Sequence, residues 1–118
     1  MLTFVCYPKC TTCQRAKKWL DDNGIAYVLR DIKLERPTRD ELAVWHAMSA
    51  LPLKKFFNTS GLLYKSLALK EKLSGMSDDE MLALLATDGM LVKRPLLIAE
   101  DTVLVGFKEA EWRAALER

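Results

Sequence analysis

LTFVCYPKCTTCQRAKKWLDDNGIAYVLRDI, residues 2–32, is the stretch that decides the fold. Leu2-Thr3-Phe4-Val5-Cys6 is apolar, contains β-branched residues and stops at Tyr7-Pro8, which is the pattern of a buried strand. From Thr11 to Asn23 the pattern turns helical, with Cys13, Ala16, Trp19 and Leu20 recurring at three- and four-residue spacing. Asn23-Gly24 is a helix stop, because glycine adopts the left-handed conformation that ends many helices. Ile25 to Ile32 reads as a second strand. A β-α-β unit this short implies a right-handed crossover and two parallel strands.

Cys10-Thr11-Thr12-Cys13 sits at the junction of the first strand and the helix. Cysteines at this spacing face the same end of a helix, close enough to form a disulfide. A helix N-terminus favours the thiolate form of a sulfur placed there. Lys9 and Arg15 flank the pair and add positive charge. Cys10, in the loop before the helix, is expected to be the exposed attacking sulfur. Cys13, one turn in and facing the sheet, is expected to be the resolving sulfur. Cys6, Cys10 and Cys13 also make a C-x3-C-x2-C spacing, that of the iron–sulfur loop in radical-SAM enzymes, but this chain is far too short for that barrel. Cys6 lies in a strand, where a small hydrophobic role suffices. Structural zinc needs a fourth ligand, and the single histidine, His46, falls in the middle of a helix. No metal is expected.

The middle of the chain is helical. Thr38-Arg39-Asp40-Glu41 is a capping box leading into Leu42, Val44, Trp45 and Met48. Pro52 interrupts, and Phe56-Phe57-Asn58-Thr59-Ser60-Gly61 has the turn chemistry of an exposed loop. Within it the Phe56-Phe57 pair suits a core, and the preceding Lys54-Lys55 a solvated face. Leu62 to Leu73 carries one or two short helices. Ser77-Asp78-Asp79-Glu80 is a second capping box, followed by Met81, Leu82, Leu84 and Leu85 and stopped at Asp88-Gly89. Leu96 to Glu100 and Thr102 to Val105 are apolar runs joined near Asp101, which predicts an antiparallel hairpin. Lys108 to Arg118 closes as a helix with Trp112 and Leu116 on one face. The order is β-α-β, a helical insertion over about residues 38–87, then β-β-α.

Of the 118 residues, 50% are hydrophobic and 29% charged, which suits one soluble domain spanning residues 1–118. The net charge of +2 argues against direct nucleic-acid or membrane binding. No apolar run approaches the ~20 residues of a membrane span, and no leader with a cleavage site is visible. Three cysteines is an odd count, unlike a secreted disulfide framework, so a cytoplasmic location is expected.

The chain resembles the arsenate reductase (ArsC) and Spx family of thioredoxin-fold proteins, on its CxxC-containing, Spx-like side. The resemblance runs over nearly the whole length. It rests on the strand followed by Cys10-Thr11-Thr12-Cys13, on Asn23-Gly24-Ile25 and Arg30-Asp31-Ile32, and on Phe57-Asn58-Thr59-Ser60-Gly61 with Tyr64. It rests further on Asp88-Gly89-Met90-Leu91-Val92-Lys93-Arg94-Pro95 and on Val105-Gly106-Phe107-Lys108. It implies a glutaredoxin-type α/β fold: a mixed four-stranded sheet with helices on both faces and a helical insertion. It implies a cis Arg94–Pro95 bond, with the Arg94 guanidinium turned toward Cys10. The catalytic groups would be Cys10, Cys13 and Arg94, and the substrate-binding ones Thr11, Thr12, Asn58, Ser60 and Pro95.

The departures from that pattern narrow the activity. Arsenate reductases of the enteric type use one cysteine and three arginines. Here Cys10 and Arg94 match, one arginine position reads Asn58, and the last falls near Gly106. Two lost charge-assisted contacts, at ~1.5–3 kcal/mol each, would weaken oxyanion binding by orders of magnitude. Those enzymes also lack a cysteine at the position of Cys13, which Spx-type members have. The leading expectation is therefore a thiol–disulfide oxidoreductase with no bound cofactor, recycled by an external thiol reductant (glutathione with glutaredoxin, or thioredoxin). The alternatives are an Spx-like redox-sensing regulator that binds the RNA polymerase α subunit, and a glutathione- or glutaredoxin-linked arsenate reductase.

Overall fold

The computed structural model describes residues 1–116; the last two residues of the expected C-terminal helix, Glu117 and Arg118, lie outside the described residues. Four strands, β1 (Leu2–Cys6), β2 (Tyr27–Asp31), β3 (Leu96–Ile98) and β4 (Val103–Val105), form one sheet in the order β2-β1-β3-β4. β1 and β2 run parallel with Leu2 opposite Tyr27 and Cys6 opposite Asp31. β3 pairs antiparallel with both β1 and β4. Six helices complete the described residues: α1 (Thr11–Asp22), α2 (Arg39–Ser49), α3 (Leu62–Ser66), α4 (Leu69–Lys72), α5 (Asp78–Leu85) and α6 (Glu109–Leu116). Short 3-10 turns cover Leu53–Phe56, Leu73–Gly75 and Gly89–Leu91. This is the mixed-sheet, thioredoxin-like arrangement that the resemblance implies, and the Arg94–Pro95 bond is cis.

Side-chain alternation along β1 divides the core in two. Phe4 and Cys6 point to one face, where α1 and α6 cover them with Cys13, Ala16, Trp19, Leu20 and Trp112. Val5 points to the other face, onto the helical segment between β2 and β3, among Leu42, Trp45, Phe56, Leu85 and Leu91. Phe56 and Phe57 are buried, while Lys54 and Lys55 are exposed.

Both capping boxes form. Thr38 accepts from the Glu41 N–H while Glu41 accepts from the Thr38 N–H, and Ser77 and Glu80 do the same. The Arg30 guanidinium grips the Glu41 carboxylate at 2.6 and 2.9 Å, which fastens α2 to β2.

Several expected boundaries shift. β2 starts at Tyr27 rather than Ile25, because the turn around Gly24 (φ +66°) carries the Ile25 N–H back to Leu20 O. It ends at Asp31, although the Ile32 N–H still reaches Cys6 O at 2.8 Å. β3 stops at Ile98 because the Ala99 N–H closes the hairpin turn onto Thr102 O. Within α2, Val44 is 57% exposed while Leu42 and Trp45 are buried, because it lies one residue from Trp45, about 100° around the helix.

Candidate functional site

The loop after β1 aims Cys10. The Cys10 N–H donates to Tyr7 O at 2.9 Å, and Gln14 Nε2 donates to Pro8 O at 3.0 Å, so the segment folds back against α1. Cys10 is the N-cap residue of α1, with extended backbone and no side-chain capping bond. The first turn of α1 contains no acidic residue. Its leading N–H groups have no intrahelical acceptors, so that helix end presents a partial positive charge beside the sulfur.

Cys13 lies one turn in and is 2% exposed, whereas Cys10 is only half-buried. The Tyr7 N–H donates to Cys13 Sγ at 3.4 Å. A hydrogen bond to the Cys6 side chain and burial together push the Cys13 thiol well above its ordinary range, against the opposing pull of the Tyr7 N–H. All three cysteines are unbonded thiols. Among the described residues no group of three or more His, Cys, Asp or Glu side chains could hold a metal ion.

An open cleft of about 970 Å³ begins at Cys10. Its walls come from four places in the chain. The helix end supplies Lys9, Cys10, Thr11, Thr12 and Arg15. Asn58 and Ser60 come from the loop before α3, which is tied to the segment before β3 by Asn58 N–H to Leu91 O (2.8 Å) and Lys93 N–H to Phe56 O (2.7 Å). Lys93 and Arg94 come from that second segment, and Gly106 and Lys108 from the turn after β4. The turn is held by Gly106 N–H to Pro95 O (2.8 Å) and by the buried Trp112 indole N–H to Gly106 O (3.0 Å).

Of the residues expected from sequence, Cys10, Thr11, Thr12, Asn58, Ser60 and Arg94 share this cleft. Cys13 and Pro95 do not line it; both are buried beneath it. Asn58 is 9% exposed and packs against Gly61, where a Cβ would come within 2.6 Å of Asn58 Nδ2. Arg94 lies over the Tyr7 ring (5.3 Å to the centroid) and donates through Nη1 to Met90 O at 3.2 Å and Val92 O at 3.4 Å. The contacts that fix it are thus to Tyr7 and to backbone.

Sequence reasoning missed two cleft cations, Lys93 and Lys108. With Lys9, Arg15 and Arg94 they line the cleft with five positive side chains and no carboxylate. Lys93 passes close to Gly106, where a Cβ would meet Lys93 Cε at 3.3 Å. The vicinity of Gly106, where the resemblance puts the third arginine, is thus filled by a lysine. Lysine presents a mobile point charge where arginine presents a fixed fork of donors.

The ArsC family model matches residues 6–115. The Bacillus subtilis protein YusI is 53% identical over 111 residues, covering 94% of each chain. The Bacillus subtilis regulatory protein MgsR is 31% identical, over 93% of this chain and 86% of its own. The global transcriptional regulator Spx of Staphylococcus haemolyticus is 29% identical, over 100% of this chain and 88% of its own. A crystal structure of an ArsC-family related protein from Bacteroides fragilis superposes with a TM-score of 0.94 at 55% identity, covering 96% of this chain and 95% of that one. The fold, the match along the sequence and the arrangement around Cys10 agree: the chain belongs to the ArsC family.

Proposed function

We propose that the chain is a thiol–disulfide oxidoreductase acting through Cys10 and Cys13 on disulfides that carry negative charge. The observation that supports this most is the asymmetry of the pair. Cys10 opens onto a cleft of five cations at an uncapped helix end, and Cys13 is sealed behind it.

The Cys10 thiolate attacks one sulfur of the substrate disulfide, forming a mixed disulfide and expelling the other half as a thiolate. The helix end and the cleft cations face that reaction and favour its anionic groups. Cys13 then loses its proton and attacks Cys10 Sγ, releasing the second half of the substrate and closing Cys10–Cys13. Two equivalents of an external thiol, from glutathione with glutaredoxin or from thioredoxin, return the pair to the dithiol. Arg94, Thr11, Thr12, Asn58 and Ser60 bind the substrate around Cys10, and Pro95 supports them from below.

Oxidised glutathione, a small anionic disulfide, tests this directly. The wild-type protein with thioredoxin as the coupled reductant should turn it over, and Cys10→Ser should abolish turnover. Absence of exchange by the wild type near neutral pH would overturn the reading.

The match to Spx along the whole chain favours one second reading, a redox-sensing regulator in which the same pair switches binding to the RNA polymerase α subunit. A pull-down with that subunit from both redox states supports this reading if capture differs between them, and removes it if neither state binds. Arsenate reduction is a weaker proposal. Neither Asn58 nor Gly106 can provide the guanidinium forks that a trianion needs, and Asn58→Arg should raise whatever arsenate activity the protein has.

A further inference from the structure

Cys6 is the one cysteine that the proposed chemistry does not use, and the fold does not leave it isolated. It ends β1 on the face that α1 covers, 4% exposed, in the same packed cluster as Cys13 and Cys10. Cys13 is the first inward-facing residue of α1, so crossing from strand to helix lays it against Cys6. Cys6 and Cys13 are both buried in this cluster and each perturbs the other's thiol, and Cys10 packs against the same cluster and acts on Cys13. Cys13 therefore stands between a half-exposed sulfur and a buried one.

We propose that Cys6 is a third redox thiol that takes over the disulfide from Cys10, converting Cys10–Cys13 into a buried Cys6–Cys13 bond. The inference rests on the oxidoreductase reading, which supplies the oxidised pair. The Cys6 thiol gives up its proton and attacks Cys13 Sγ. The Cys10–Cys13 bond breaks, a Cys6–Cys13 bond forms, and Cys10 departs as a thiolate that takes up a proton. No electrons are gained or lost, so no further oxidant is needed. The departing sulfur faces the cationic cleft and the helix end, which favours its release. In the reduced protein the Cys13 side chain holds the Cys6 thiol below its ordinary value, against burial and the Asp31 carboxylate opposite it in the β1–β2 ladder. The consequence is that an oxidised molecule regains a free Cys10 while its disulfide is sheltered from external thiols.

The sequence makes the test clean, because trypsin cuts after Lys9 and after Arg15. Cys6 then falls in residues 1–9, and Cys10 and Cys13 fall together in residues 10–15. The full chain is oxidised with diamide, alkylated in its native state, digested and mapped by mass spectrometry. The relay predicts the two peptides cross-linked through Cys6 and Cys13, with the alkyl label on Cys10. A roughly tenfold bias toward the buried bond, worth about 30 mV in this two-electron couple, would label about nine of ten Cys10 thiols. In Cys6→Ala, which keeps the site small and apolar, the oxidised protein should hold the loop within residues 10–15 and leave Cys10 unlabelled. A wild-type map showing only the Cys10–Cys13 loop, with Cys6 reactive after denaturation, overturns the relay and leaves the oxidoreductase reading standing. A map with no disulfide at Cys10, Cys13 or Cys6 overturns both.

Discussion

Replacing Glu41 by Gln removes a charge while keeping the shape of the contact that fastens α2 to the sheet. Gln at this position still accepts the Thr38 N–H of the capping box, so helix initiation is preserved. The paired bonds from Arg30, burial and the Thr38 N–H act on the Glu41 carboxyl. The first and largest, aided by the last, outweighs burial and holds it at about 2 against its ordinary 4.5. At about 1.4 kcal/mol per pKa unit, that gap corresponds to an upper bound of about 3 kcal/mol. Glu41 is 35% and Arg30 18% exposed, so solvent screens part of this, and about 1–2 kcal/mol should remain. The pKa is lowered by folding, so the contribution is complete above pH 4.5, declines as the pH falls from there toward 2, and is gone below. Urea unfolding of both proteins from pH 7 down to pH 2.5 reads it. The variant should be less stable by about 1–2 kcal/mol at neutral pH, with the two curves converging in acid. A gap that stays constant with pH, or no gap at pH 7, would refute the assignment of this stability to the ion pair.

Two further substitutions probe how the cleft is built and charged. Gly89→Ala would drive a Cβ into Ile32 O and within 2.9 Å of the Ile32 carbonyl carbon, both backbone atoms, moving the turn whose Met90 O and Val92 O hold Arg94. It should cost about 2–3 kcal/mol and lower Tm by about 10 °C in a calorimetric scan; a change under about 2 °C would show that the segment yields freely. Lys93→Ala should slow exchange with an anionic disulfide about two- to fivefold at low salt. A neutral disulfide should be unaffected, and an equal loss on both would contradict the role given to cleft charge.

What sequence made legible followed from short-range physics. The β-α-β opening, the CxxC at its junction and both capping boxes depend on residues within one or two turns of each other, and all formed as read. A run of apolar residues in α2 does not by itself say which of them are buried: Leu42 and Trp45 are three apart and share the inner face, while Val44 is exposed. Lys93 and Lys108 were invisible as site residues because only the β1-β3-β4 order brings their loops to the end of α1. Cys6 did carry a signal. Its parity with Phe4 puts it on the α1 face, and Cys13 is the first inward position of that helix. The Arg30–Glu41 pair joins a strand to a helix eleven residues later, and no local pattern announces it.

The central claim is that Cys10 attacks and Cys13 resolves. Cys13→Ser removes the second step alone, so incubation with oxidised glutathione should leave one stable glutathione adduct on Cys10, visible by intact-mass and peptide analysis. The wild type should instead pass to an internal disulfide without retaining the adduct. No adduct on Cys13→Ser, or an adduct on Cys13 in Cys10→Ser, would contradict the account.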